Sequence, residues 1–277
     1  MLDVVSLFDG ISCAYVALQK ANKPIKSYKA FEIDKYAIAV STKNHPAITH
    51  CGDVRSLTER TPCDLLIGGS PCIDLSIAKA KRKGLEGEYS SLFYEYLRIK
   101  NLLQPRWFVL ENVASMRQSD KDIISRELGV QPVLFDAGLV SAQRRKRLFW
   151  TNIPFTLPDP SPLTVADILQ PNVEPKYFIS ETVATTIAEA TKPLSQGLRV
   201  YPITGKSVCL GANGGGVGAK TGLYNTANGI RRLTPVEAER LQGLPDDYTA
   251  PLSDTQRYKC CGNAFNTDVV ARILSGL

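Results

Sequence analysis

Short runs of consecutive apolar residues, each followed by a polar turn and an amphipathic stretch, fill the first half of the chain. Val4-Val5-Ser6-Leu7-Phe8 reads as a buried strand. Cys13 to Lys20 reads as a helix, with Ala14, Ala17, Leu18 and Ala21 along one side. Ser27 to Ile33 predicts a second strand and Lys35 to about Lys43 a second helix, and a third strand is expected before Asp53. Further strands are expected at Asp64–Ile67, Trp107–Leu110, Gln131–Asp136 and Arg147–Asn152. Leu92 to Leu103 has helical spacing and stops before Pro105. Strands alternating with helices predict an α/β fold: a Rossmann-like, mostly parallel sheet covered on both faces, with ligands at the carboxyl ends of its strands.

The rhythm breaks near Pro154. From there to Tyr201 the chain is rich in Pro, Thr and Ser, and residues 211–222 are rich in glycine. These features predict a small, loop-rich second lobe over 159–249, set between 1–158 and 250–277. Thr234-Pro235-Val236-Glu237 predicts a helix start, with Thr as N-cap, Pro at the first position and Glu closing a capping box. A last helix is expected from Thr267 to Leu274, packed on the sheet.

Composition narrows the possibilities. At 277 residues and 44% hydrophobic content, the chain can bury one large core. No apolar run reaches the roughly 18 residues of a membrane span, and Met1-Leu2-Asp3 enters a strand directly, so neither a membrane anchor nor a leader is expected. Seven scattered cysteines, an odd number, point to free thiols in a reducing compartment, the cytoplasm, rather than a disulfide framework. With two histidines and no Cys/His spacing of the zinc type, no metal is expected. The net charge of +6 fits a polyanionic partner. Its basic clusters, Lys79, Lys81, Arg82 and Lys83 and then Arg144 to Arg147, flank the elements suspected of chemistry.

The strand Asp64–Ile67 runs into Gly68-Gly69-Ser70-Pro71-Cys72, and Trp107–Leu110 ends in Glu111-Asn112. On neighbouring strands these place a thiol and a carboxyl group at one sheet edge. That pair suits covalent attack on a weakly electrophilic, nitrogen-rich ring, with the carboxyl managing the ring's proton. Phe8-Asp9-Gly10 opens the first helix, where a small residue and helix amides favour an anionic ligand group. Glu32 in Glu32-Ile33-Asp34 can accept from ribose hydroxyls, and Asp53 in Gly52-Asp53-Val54 can receive an amino group. The chain lacks a full G-x-G-x-x-G, which disfavours a dinucleotide.

Taken in order, these segments, with Gln143-Arg144-Arg145-Lys146-Arg147, Arg232-Leu233-Thr234-Pro235 through Gln242-Gly243, and Gly262-Asn263, resemble the DNA cytosine-5 methyltransferases. The compact length and residues 218–224 look most like phage or prophage members. The resemblance implies S-adenosyl-L-methionine as cofactor, double-stranded DNA as partner and a monomer that methylates a cytosine flipped out of the duplex. It implies Cys72 as nucleophile toward C6, Glu111 at N3, Arg147 at O2 and Arg145 in support. Phe8, Asp9, Gly10, Glu32, Ile33, Asp53, Val54, Pro71, Asn263 and Ala264 become the cofactor contacts, with Phe8 on the adenine and Asn263 at the methionine end. Asn112 and Pro71 shape the pocket rather than react. The lobe 159–249 becomes the target-recognition domain. The loop from Ile73 to Ser91, with Gly84 and Gly87 as hinges, becomes a segment that closes over DNA. Ala14, Ile73 and Asn266 depart from the family pattern, and Ala14 and Asn266 fall where the cofactor pocket is expected. They leave open a reading in which a modified cofactor donates a different group. A transfer-RNA substrate and a non-catalytic binding protein stay open as well.

Overall fold

The computed structural model describes residues 1–71, 84–87, 91–192, 194–212 and 216–277. They divide into two units: residues 1–136, 146–157 and 269–277 form the first, and residues 137–145 and 158–268 the second. The second unit is thus wider than the expected lobe of 159–249.

The first unit is built from β1 (Leu2–Leu7), α1 (Cys13–Lys20), β2 (Ile25–Phe31), α2 (Lys35–Asn44), β3 (Thr49–His50) and β4 (Leu65–Gly68). It continues with α3 (Leu92–Leu103), β5 (Trp107–Val113), α4 (Gln118–Leu128), β6 (Val133–Asp136) and β7 (Lys146–Thr151). Among the described residues, seven strands form one sheet in the order β3-β2-β1-β4-β5-β7-β6. The neighbours from β3 to β5 are parallel, and β7 runs antiparallel to both β5 and β6. The strand order reverses at β1, so the loops after β1 and β4 leave in opposite directions and open a crevice between them. In β4 all four residues are buried, the continuous apolar run of a strand covered on both faces.

Register sets the site. Phe31, Leu7, Gly68 and Leu110 lie in one cross-strand row. A side chain at Gly68 would put its Cβ 2.7 Å from the Leu7 carbonyl oxygen, so only glycine lets β4 lie flush against β1. Over the sheet, α3 buries Phe93, Tyr96, Ile99 and Leu103, spaced three to four apart on one face. The helix α4 is not among the elements expected from the sequence. It buries Ile124 and Leu128 and ends at Gly129 with φ +72°.

The second unit carries α5 (Glu181–Ala188) and a small sheet of β8 (Val200–Pro202), β9 (Leu223–Thr226) and β10 (Gly229–Arg232). The helices α6 (Pro235–Leu241) and α7 (Asp254–Asn263) follow. The helix α8 (Thr267–Leu274) leads to the chain end, where Lys23 Nζ donates to the Leu277 carbonyl at 2.6 Å. The start of α6 is as expected: Thr234 caps, Pro235 follows and Glu237 closes the box. Glu237 does more than cap. Its carboxylate takes Arg231 at 2.7 Å on each oxygen, together with the Thr234 and Gln170 amides at 2.8 Å. Both charges are buried, with side chains 3% and 0% exposed. Removing one partner of such a pair strands the other, so Glu237→Gln is expected to destabilise the protein by about 3–5 kcal/mol. Urea unfolding of the two proteins measures it.

Candidate active site

The loop after β1 is tightly wound. Phe8, Gly10 and Ser12 all have left-handed backbone, with φ of +56°, +59° and +60°. For Phe8 and Ser12 that conformation is uncommon and must be held by surrounding contacts. Much of the hold comes from two acids. Glu32, one residue beyond β2, accepts the Gly10 amide at 2.9 Å on one oxygen, and the Ile33 and Asp34 amides at 2.7 and 2.8 Å on the other. A carboxylate has about four acceptor sites, so one remains for a ligand hydroxyl.

Asp9 faces the other way. It is buried, accepting Tyr28 Oη at 2.6 Å and Ser12 Oγ at 2.5 Å, and Ser12 Oγ lies 2.6 Å from Ser41 Oγ. Of the expected cofactor contacts in this loop, Asp9 therefore braces the turn from within. Burial pushes its carboxyl pKa up, although the hydroxyls of Ser12, Ser6 and Tyr28 partly offset the shift.

Gly69, Ser70 and Pro71 follow β4. Cys72 lies outside the described residues, as do Ile73, Lys79, Lys81, Arg82 and Lys83. The approach to it is fixed by Asn112, a buried residue of β5 whose amide donates to both the carbonyl and the hydroxyl of Ser70 at 3.2 Å. Its own oxygen accepts the Val113 amide at 2.8 Å. The pocket-shaping role expected of Asn112 thus acquires a partner that the sequence does not name. Gly84 and Gly87 flank a described stretch of the expected loop. Leu85, between them, is buried in the main core, and its amide donates to Asp120 Oδ1 at 3.2 Å.

Adjacent to Asn112 but on the opposite face of β5 stands Glu111. The antiparallel register pairs Glu111 with Phe149 and Val113 with Arg147, so Glu111 and Arg147 are diagonal neighbours on one face. Arg147 Nε meets Glu111 Oε1 at 2.8 Å, with side chains 18% and 14% exposed. Two residues far apart in sequence thus form one half-buried acid–guanidinium pair.

Asp53 caps the short turn Val54–Ser56 and holds Arg55, with Nη2 at 2.7 Å and Nε at 3.0 Å. Those bonds hold its carboxyl below the usual range. Ile33 is 72% exposed, whereas Val54 is buried and offers a ligand its backbone alone.

In the second unit, Arg145 is buried and its Nη2 donates to the carbonyls of Gly262 and Ala264 at 3.0 and 2.9 Å. It holds the chain on either side of Asn263, which is exposed, while Ala264 is buried. Gln242 adds bonds to the Cys261 and Ala264 carbonyls, and Gln143 bonds Leu241 and Leu210. Gly262 admits no side chain, since a Cβ would lie 2.5 Å from the Ala212 amide. Asn266 donates to the Leu241 carbonyl at 2.9 Å inside this unit. Ala14 is likewise buried, within α1.

A strand order that reverses at β1, with acids at successive strand ends, defines a Rossmann-like methyltransferase sheet. The model of the C-5 cytosine-specific DNA methylase family matches residues 2–153 and 173–277. The type II methyltransferase M.HhaI of Haemophilus parahaemolyticus is 29% identical, over 98% of this chain and 93% of its own. The type II methyltransferase M1.ScrFI of Lactococcus lactis subsp. cremoris is 30% identical, over 94% and 74%. Among solved structures, the Entamoeba histolytica methyltransferase EhMeth has a TM-score of 0.80 at 16% identity, covering 100% of this chain and 97% of its own. A putative DNA modification methyltransferase encoded within an E. coli prophage has a TM-score of 0.75 at 19% identity, covering 100% and 98%. These two share the fold.

The chain belongs to the C-5 cytosine-specific DNA methylase family and is a DNA cytosine-5 methyltransferase.

The raised Asp9 carboxyl has a testable sign. The folded protein keeps this proton to higher pH than the unfolded chain, so the contribution is favourable at low pH and is lost as pH rises through the elevated value. Asp9→Asn carries no such charge. Its stability relative to the native protein is expected to improve as pH rises from about 3 toward about 8. Denaturant titrations of both proteins across that range check it.

Proposed function

We propose that this enzyme transfers a methyl group from S-adenosyl-L-methionine to C5 of a cytosine turned out of double-stranded DNA, through a transient bond between Cys72 and C6. The observation that carries this reading is the Glu111–Arg147 pair at 2.8 Å, on strands beside the turn that leads to Cys72. A carboxyl group and a guanidinium on one face match the protonated N3 and the carbonyl O2 of a cytosine ring.

The cofactor fits the first unit's own residues. Glu32 keeps one acceptor site for a ribose hydroxyl, and Ile33 and Phe8 offer apolar surface for an adenine. Asp53 can take the adenine amine by exchanging its bond to Arg55, a largely exposed pair of small energetic weight. In the second unit, Asn263 carries the motif, and Arg145 grips the carbonyls on either side of it. When bound, S-adenosyl-L-methionine supplies an electrophilic methyl group.

In this reading Cys72 acts as a thiolate and adds to C6, while Glu111 holds the proton at N3 that offsets charge building on the ring. Arg147 steadies O2 and, by its contact with Glu111, keeps that carboxyl oriented. With C6 bonded, electron density reaches C5, which takes the methyl group. Loss of the C5 proton and departure of Cys72 restore the aromatic ring. The second unit reads the DNA, the enzyme acts as a monomer, and its place is that of a restriction companion or of phage self-protection.

Mass analysis of nucleosides from DNA incubated with the protein and S-adenosyl-L-methionine tests the reading. The expected product is 5-methylcytosine, absent with Cys72→Ser. Glu111→Gln is expected to slow transfer by about 10²–10⁴-fold, and Arg147→Gln by about 10²–10³-fold. A product heavier than one added methyl group, or undiminished transfer by Cys72→Ser, overturns it.

A further inference from the structure

A line of hydrogen bonds runs from Asp9 into the first unit, and its farther members, Ser41 and His50, have no part in the chemistry above. Asp9 accepts Ser12 Oγ, Ser12 Oγ lies 2.6 Å from Ser41 Oγ in α2, and Ser41 Oγ lies 3.3 Å from Nε2 of His50 at the end of β3. Ser12 and Ser41 are fully buried. The line stops at His50, whose Nδ1 is buried without a hydrogen-bond partner. Tyr28 Oη, from β2, donates to the other oxygen of Asp9. Thus β2, α2 and β3 are all tied to one side chain of the loop after β1.

Proton counting gives the line a direction. A carboxylate only accepts, and each serine hydroxyl has a single proton. Ser12 gives its proton to Asp9, so the bond between the two hydroxyls is donated by Ser41. Ser41 then has no proton left for His50, and His50 Nε2–H must donate to it. The same answer comes from the far end. A buried N–H without an acceptor is costly. The proton of the neutral ring therefore belongs on Nε2, which has a partner, and not on Nδ1, which has none. Left to itself, a serine within a helix turns its hydroxyl to the carbonyl one turn back, here that of Ala37. The His50 N–H fills one side of the Ser41 oxygen and turns the Ser41 proton toward Ser12 instead.

At the near end, the Asp9 amide donates to the Phe31 carbonyl at 3.1 Å, and the Asp9 carbonyl accepts the Ser12 amide at 3.1 Å. With its side chain drawn inward as well, Asp9 is fixed by backbone and side chain alike. It stands between the left-handed residues Phe8 and Gly10, and the Gly10 amide is delivered to Glu32. We propose that Ser41 and His50 are positioning residues for this loop: by directing the line of hydrogen bonds they hold Asp9 inward, and so keep Phe8 and Glu32 in the arrangement that takes S-adenosyl-L-methionine. The ligand named here rests on the methyltransferase reading above. Once the line is broken, the loop spends part of its time in other arrangements, and apparent affinity falls with the fraction that stays competent.

The test compares the full chain with Ser41→Ala, His50→Leu and His50→Gln, the last of which keeps an N–H donor. Hydrogen exchange of the Gly10 amide, followed without ligand, reads the loop, and calorimetry with S-adenosyl-L-methionine reads binding. Losing one hydrogen bond is expected to speed Gly10 exchange and to weaken binding by about two- to tenfold in Ser41→Ala and in His50→Leu. His50→Gln is expected to return both toward the native values. Ser41→Ala guards against misfolding, because alanine is the better helix former and leaves α2 intact. The double variant Ser41→Ala/His50→Leu is expected to be no worse than Ser41→Ala, since without Ser41 the imidazole has nothing to direct. A merely structural role gives independent losses and no rescue by glutamine. Unchanged Gly10 exchange in both single variants, or losses that add in the double one, overturns the proposal. So does faster exchange with undiminished affinity for a cofactor that the native protein binds. If the native protein binds no S-adenosyl-L-methionine while Gly10 exchange responds as expected, the methyltransferase reading fails and the hold of the line on the loop stands.

Discussion

The close approach of β4 to β1 is the constraint on which the rest depends. With no side chain at Gly68, the parallel register runs unbroken from Phe31 through Leu7 and Gly68 to Leu110. Each next residue, Phe8, Glu32, Gly69 and Glu111, then emerges at the same sheet edge. A methyl group at Gly68 would press on a backbone carbonyl, which cannot swing aside as a flexible side chain can. The loop after β1 and the turn after β4 are therefore placed by a single packing event.

The two units solve different problems with different materials. The first is an apolar core under a sheet, with Glu32 and Glu111 at the strand ends. The second is held by buried polar groups: Gln143, Arg145, Gln242 and Asn266 bond to backbone carbonyls, and Arg231 is locked to Glu237. Such networks tolerate little change, because each member lost leaves another unsatisfied. Several residues that carry the family pattern here thus also hold this unit together.

The first unit is readable from sequence. Its strands are short, apolar and regularly spaced, and the acids at their ends fall in order. Direction is not readable in the same way. Asp9 sits within a ligand-binding motif, yet its carboxylate turns inward to Tyr28 and Ser12, an orientation set by the left-handed backbone at Phe8 and Ser12. The partners of Asn266, Leu241 and Ser141, are likewise remote in sequence. The helix α4 escapes a periodicity reading because its polar residues outnumber its apolar ones, although Ile124, Leu128 and the closing Gly129 carry the signal. The helix α7 escapes it for a similar reason: it is polar, and its buried face is made of Tyr258, Cys261 and Gly262 rather than long aliphatic side chains.

Neighbouring residues on a strand point to opposite faces, and β5 uses both at one place. Glu111 meets Arg147 on one side while Asn112 ties down Ser70 on the other. Any thermal displacement of β5 therefore carries Glu111 and the Ser70 turn together, as two objects on one carriage. The sheet can breathe as a whole with little change in the spacing between them. Precision in this site is relative, and it survives motion that would blur either group measured against the rest of the protein.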